Sequence, residues 1–206
     1  MTGVQTCALP ICFPVTIGGI TVRKTVGKSL VVNFYGGPGS GKSTKAAELF
    51  AILKKRGIVC ELVTEFAKDL TWEQSHATLG NQLYVLGRQY NRMFRLNGKV
   101  DVIITDSPLL LSLHYGMGTR FQTRWFDQMT RDLIGDFENV HVLVNRDVEY
   151  SEIGRNQSDD EAQAISDNIA RLLEGYGEDA GGIDKVTTTT SRDISDVVEL
   201  VNHGLS

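Results

Sequence analysis

Residues Asn33 to Thr44 read NFYGGPGSGKST. Inside that stretch GGPGSGKS, Gly36 to Ser43, satisfies G-x-x-x-x-G-K-[ST] at every fixed position. Leu30 to Tyr35 (LVVNFY) precedes it as an apolar run of strand length. Lys42 opens a helical pattern carrying Ala46, Ala47, Leu49, Phe50 and Leu53. A glycine-rich turn between a buried strand and a helix lets backbone N–H groups converge on phosphate oxygens, and the helix N-terminus adds favourable dipole charge. The pattern therefore implies a bound nucleoside triphosphate, with Gly36, Gly37, Pro38, Gly39, Ser40, Gly41, Lys42, Ser43 and Thr44 around its phosphates. In such a loop the lysine, here Lys42, reaches the β- and γ-phosphates, and the hydroxyl, here Ser43, ligates Mg²⁺.

Working outward, strand-like and helix-like segments alternate. The first helix ends at Lys54, Lys55 and Arg56, which suit a negative helix terminus, and at Gly57, which suits a left-handed cap. Ile58 to Thr64, Val100 to Thr105, Val140 to Val144 and, more weakly, Ile183 to Thr188 read as strands. Leu79, Leu83, Leu86, Tyr90 and Met93 form a helical seam closed by Gly98, and Phe121, Trp125, Met129, Leu133 and Phe137 mark another helix. Ser158 and Glu161 have capping-box spacing ahead of Ile165, Ile169, Leu172 and Leu173, and Asp193 to Asn202 is a last helix. Five strands alternating with helices predict an α/β protein: a P-loop NTPase three-layer α/β/α fold with a five-stranded parallel sheet.

Composition fits one domain. The 206 residues are 41% hydrophobic and 22% charged, ordinary values for a chain with a real core. No apolar run approaches the roughly 20 residues of a membrane helix, so no membrane is expected. A net charge of −4 argues against general nucleic-acid binding. Gly3 to Ile11 (GVQTCALPI) resembles the translation of a sequencing adapter. Residues 1–27 are therefore set aside as a doubtful leader, with a genuine start expected near Val26 to Lys28, and residues 28–206 are taken as the domain. The rival reading of a signal peptide is disfavoured by Pro10 and by the absence of a preceding basic residue. Outside the leader Cys60 stands alone and cannot form an internal disulfide, which points to a reducing cytoplasm.

Two carboxylates end predicted strands. Asp106 follows VDVIIT, where a carboxylate can hold Mg²⁺ directly or through water. Glu65 ends the second strand in LVTEFAKD, at the sheet edge where ligands of doubly wound folds bind. It could orient or deprotonate an acceptor hydroxyl during phosphoryl transfer. Phe66 beside it either walls an acceptor ring or packs in the core. Motor-type ATPases place a water-activating Glu directly after the strand-end Asp, but Ser107 stands here. Asn145-Arg146-Asp147-Val148 fails the N-K-x-D guanine motif, which favours ATP, and no LSGGQ signature occurs. His76, His114, His141 and His203 lack metal-ligand spacing.

The glycine loop, TEFAKD, NQLYVLGRQ and the strand-end DSP together resemble the small P-loop kinases. The likeness is to the nicotinamide-riboside-kinase-like ATPase domain and the deoxynucleoside kinases, with a similar look to bacteriophage-encoded ATP-binding proteins of that type. It runs from about Leu30 to Tyr176. The resemblance implies ATP and Mg²⁺ as cofactors and a small-molecule phosphoryl acceptor as partner. It casts Glu65 as the acceptor-hydroxyl carboxylate and Gln82 as the glutamine that reads a nucleobase; the plain alternative for Gln82 is an exposed helix residue. Those kinases follow the strand-end acid with Arg-Ser, whereas this chain has Asp106-Ser107-Pro108 and lacks the arginine.

After the fourth strand, NRDVEYSEIGRNQSDDEA is expected to form a lid near residues 146–160. Arg155, and after it Arg146, would neutralise charge developing over the phosphates. Arg88, Arg92 and Arg95 share one helical face, which meets either an acceptor phosphate, a nucleic-acid strand or only solvent. Three functions are left open: a kinase for a nucleoside, nucleotide or related metabolite; an ATPase or regulatory ATP-binding protein; and a kinase for nucleic-acid ends.

Overall fold

In the computed structural model the described residues are 15–17, 20–22, 27–145, 159–179, 185–190 and 193–205. Strands β1 (Val15–Ile17) and β2 (Ile20–Val22) pair antiparallel as a small separate sheet. The main sheet is built on β3 (Leu30–Tyr35), whose six residues are all buried. Parallel neighbours flank it, β5 (Val102–Thr105) on one side and β6 (Glu138–Asn145) on the other. The edges are β4 (Cys60–Val63) beside β5 and β7 (Lys185–Thr190) beside β6, so the strand order is β4-β5-β3-β6-β7 and every pairing is parallel.

Alternation along β3 divides the core in two. Leu30, Val32 and Phe34 pack against α1 (Lys42–Lys55) through Ala46, Leu49 and Leu53, and against α8 (Ser195–Gly204) through Val197, Val198 and Val201. Val31 and Tyr35 face the opposite layer of α4 (Gln82–Phe94), α5 (Leu111–Gly116), α6 (Arg124–Ile134) and α7 (Asp159–Asp179). Each fully buried Val or Phe in this sandwich contributes roughly 1.5–3 kcal/mol relative to an exposed one. This is the three-layer α/β/α arrangement expected from the sequence.

Three short helices and two rotated faces were not expected. After Glu65, α2 (Phe66–Trp72) and α3 (His76–Leu79) form, and after Pro108 comes α5, in stretches where the sequence reading placed no element. The expected seam of α4 is turned: Gln82, Val85, Leu86, Gln89 and Met93 are buried while Leu83 is 43% exposed. Buried glutamines break the apolar periodicity, and they are tolerated because their amides bond to backbone carbonyls and N–H groups of neighbouring segments. On α6, Phe126, Thr130 and Ile134 face inward and Trp125 is 52% exposed. Thr130 satisfies itself by donating to the Phe126 carbonyl at 2.7 Å.

The order of strands reverses direction at β3, and the loops leaving β3, β4 and β5 all emerge on one edge. Such a switch point opens a crevice at the carboxyl ends of the strands. Gly36, Glu65 and Asp106 therefore arrive on the same side of the sheet. Among the described residues no helix is long and apolar enough to cross a membrane.

Candidate functional site: a phosphate-cradling loop facing two carboxylates

The glycine loop is defined by close approaches. Gly36 has φ +142°, and a Cβ there would stand 2.5 Å from Ser40 Oγ and 2.8 Å from the Val144 carbonyl. At Gly37 a Cβ would meet Ser166 Oγ at 2.2 Å and the Ala162 carbonyl at 2.6 Å, so α7 lies directly against the loop. Gly41 takes a left-handed φ of 92° and turns the chain into α1. Lys42 curls back over the loop, its Nζ donating to the Gly36 and Gly37 carbonyls at 2.7 and 3.0 Å. Pro38 and Gly39 are half-buried, Thr44 is exposed, and Ser40 is buried with its Oγ lacking a partner among the described residues.

Directly behind the loop, Ser43 Oγ donates to Asp106 Oδ2 at 2.5 Å. Asp106 is only 9% exposed, and its Oδ1 has no hydrogen-bond partner among the described residues. A buried carboxylate oxygen left unmatched calls for an explanation. An oxygen-only pair of hydroxyl and carboxylate beside a phosphate loop suits Mg²⁺, a hard cation that keeps several waters and takes its remaining ligands from phosphates. The residues present thus fit the cation that the loop implies.

Glu65 stands at the head of α2, with extended backbone and no side-chain cap bond of its own. Its place is set by Gln89 on α4. Gln89 Oε1 accepts from the Phe66 N–H at 3.0 Å, and its Nε2 donates to the Thr64 carbonyl at 3.5 Å and to Thr105 Oγ1 at 3.4 Å. Thr105 Oγ1 also accepts from the Ser107 N–H at 3.1 Å. One buried amide therefore ties the end of β4 to the end of β5 and holds Glu65 near Asp106. Burial raises the Glu65 carboxyl above its ordinary range, and the Asp106 charge raises it further, while Lys42 and Lys68 pull it back. Tyr115 on α5 is a second neighbour: although the residue is 48% exposed, partial burial and then the Glu65 charge push its phenol up to about 12. Neither Gln89 nor Tyr115 was singled out from the sequence. A glutamine two turns inside an otherwise apolar helical face was the one signal that could have found Gln89.

The other sequence candidates are spread wider. Phe66 is buried with Leu70 and Val85, Tyr84 meets its ring edge-on at 5.8 Å, and the guanidinium carbons of Arg88 and Arg92 lie 5.2 and 5.0 Å from its centroid. Gln82 is 7% exposed; its Nε2 donates to the Leu79 carbonyl at 3.0 Å and its Oε1 lacks a partner among the described residues. Seven residues before Gln89 on the same helix, it lies about 10 Å further out from the sheet's carboxyl edge. Arg146 and Arg155, with the expected lid up to residue 158, fall outside the described residues.

A strand–glycine loop–helix unit with a hydroxyl–carboxylate pair behind it, on a five-stranded parallel sheet, defines a P-loop nucleotide-binding domain. Residues 31–183, more than half of the chain, match the AAA domain family AAA_28, and the chain belongs to that family. No curated protein matches its sequence. Among solved structures, it is similar to NadR protein in complex with NR, at 18% identity and a TM-score of 0.56 over 78% of this chain. That likeness shows the fold, and the chain spans less than half of that structure, 45% of its length.

Proposed function

We propose that the protein is an ATP-dependent phosphotransferase that phosphorylates a hydroxyl of a nucleoside, nucleotide or related small metabolite. The observation that carries this reading is Glu65, a carboxylate of raised pKa held by Gln89 beside Asp106 and within the field of Lys42. A domain that only bound or hydrolysed ATP would need no second, half-buried carboxylate at the end of β4, and it would gain from a Glu after Asp106, where this chain has Ser107.

In this reading the loop amides hold the triphosphate. Lys42 exchanges the Gly36 and Gly37 carbonyls for β- and γ-phosphate oxygens and neutralises their charge. Ser43 and Asp106 would hold Mg²⁺, which supplies charge compensation and alignment of the phosphates. Glu65 accepts a hydrogen bond from the acceptor hydroxyl and would take its proton as the hydroxyl oxygen bonds the γ-phosphorus and the bond from that phosphorus to the β,γ-bridging oxygen breaks, leaving ADP. Gln82 offers its Oε1, unmatched among the described residues, to a donor on the acceptor's distal part, such as a ring amide or amine. Arg155 and Arg146 would close over the phosphates from the lid. The reducing interior of a cell is the compartment consistent with Cys60, the one cysteine among the described residues, which is buried and free and whose thiol burial raises to about 11.

The test is an ATP-consumption assay with Mg²⁺ against a panel of nucleosides, nucleoside monophosphates and nicotinamide riboside, with Lys42→Ala and Glu65→Gln alongside. ADP release that requires an acceptor and disappears in both variants is the expected result. Release without any acceptor that survives Glu65→Gln would instead make the protein an ATPase, the second reading that membership of the AAA domain family keeps open.

A further inference from the structure

A second cationic feature lies apart from the glycine loop. Between the outermost strand β4 and helix α4 runs a groove of about 360 Å³, lined by residues 61–64 and by Arg88, Asn91, Arg92 and Arg95. Spacings of four and three residues bring the three arginines onto one face of α4 and spread them over about 10 Å. Two of them are pre-oriented, with Arg88 and Arg92 lying over the Phe66 ring. Arg92 is also paired with Asp69 and donates to the Thr64 carbonyl at 3.3 Å.

The charge of the groove is not balanced from within. Among the described residues Arg88 and Arg95 have no carboxylate partner, and Arg95 Nε donates only to the Arg92 carbonyl, at 3.3 Å. The one acidic residue in the lining, Glu61, is taken by Lys54 at 3.3 Å. Arg92 has Asp69, but Arg88 and Arg95 bring two further guanidinium groups to the same groove, and like charges set close together favour an added anion. Arginine in place of lysine at all three positions favours a ligand that accepts paired, planar hydrogen bonds, which phosphate oxygens do.

We infer that this groove is a phosphate-binding site, separate from the glycine loop, for a phosphate-bearing ligand of about mononucleotide size. The volume falls at the lower end of small-molecule sites. The short span of the arginines and the negative whole chain disfavour a nucleic-acid strand. The site also abuts the reaction centre, because the Thr64 carbonyl that Arg92 holds belongs to the residue before Glu65.

The experiment uses inorganic tripolyphosphate as the probe, titrated calorimetrically into the full chain carrying Lys42→Ala, which disables the glycine loop. Residual binding is expected there, weakened about tenfold by adding Arg95→Ala and abolished by Arg95→Glu. It should also weaken as salt is raised, as screened charge contacts do. Among the described residues Arg95 bonds only a backbone carbonyl, so its variants should melt within a degree or two of the parent, which separates lost binding from lost fold. The inference is overturned if Lys42→Ala removes all binding, or if residual binding ignores Arg95→Glu. A short single-stranded oligonucleotide binding more than tenfold tighter than tripolyphosphate would overturn it in favour of a nucleic-acid groove.

Discussion

Ser43 Oγ and Asp106 Oδ2 meet at 2.5 Å across 63 residues of sequence, and this contact closes the space between the first turn of α1 and the end of β5. It leaves Asp106 Oδ1 buried and unmatched among the described residues, so the pair is incomplete as a hydrogen-bonding unit but complete as part of a cation site.

Ser43→Ala should therefore separate cation from nucleotide. Nucleotide affinity with Mg²⁺ is expected to fall about tenfold, or about 1.4 kcal/mol, while affinity in EDTA changes little. Calorimetry with and without Mg²⁺ reads the difference directly. An equal loss in both conditions would mean that the hydroxyl serves only the fold of the loop.

Glu65→Gln should cost about 10²–10⁴-fold in acceptor-dependent turnover, the usual yield of a positioned base. The pH profile adds a sign. A base whose pKa is raised works only once it is ionised, so the wild-type rate should climb with pH through a midpoint above the ordinary 4.5, and the variant should lose that limb.

The same shift bears on stability. Folding disfavours the charged Glu65, so its contribution is fully present below the unfolded pKa and is lost as pH rises through the raised folded pKa. Glu65→Gln should thus raise Tm at neutral pH, with the gain vanishing in acid. Thermal melts across pH check this, and a gain that grows in acid would contradict it.

Gln89→Ala removes a buried amide and strands the Phe66 N–H, while the Thr64 carbonyl keeps the bond from Arg92. A loss of about 1–3 kcal/mol per buried group left unmatched is expected, read in denaturant titrations. Turnover should fall by more than the unfolded fraction explains, because Glu65 loses the bond that sets its backbone. Activity that tracks the folded fraction alone would show that Gln89 acts only in packing.

At Gly37, alanine would drive a methyl into Ser166 and the Ala162 carbonyl. Overpacking at such a contact costs about 1–3 kcal/mol. Gly37→Ala should lower both Tm and nucleotide affinity, since α7 and the loop must separate to admit it. Unchanged binding would show that α7 yields without disturbing the loop.

Much of this was legible in the chain. The glycine motif, the apolar run before it and the helical pattern after it announce themselves because their interactions are local, within a strand, a turn and a first helical turn. Asp106 and Glu65 were readable for a related reason: a carboxylate directly after a buried apolar run sits at a strand end, whichever strands are its neighbours. The α4 face was misread at Leu83 because a buried glutamine looks polar to any periodicity rule. Whether Gln89 meets Phe66 and Thr105 depends on which helix crosses which pair of strands. α2 was missed because its first N–H is satisfied by Gln89, 23 residues on, and not by a capping residue of its own. The groove of Arg88, Arg92 and Arg95 was half visible, since helical spacing shows a shared face but not that β4 lies opposite. Local chemistry, then, dictated the loop, the strand ends and the class of fold. Packing at long range decided which side chains are held, which are left unmatched and which face one another, because those depend on contacts between segments far apart in the chain.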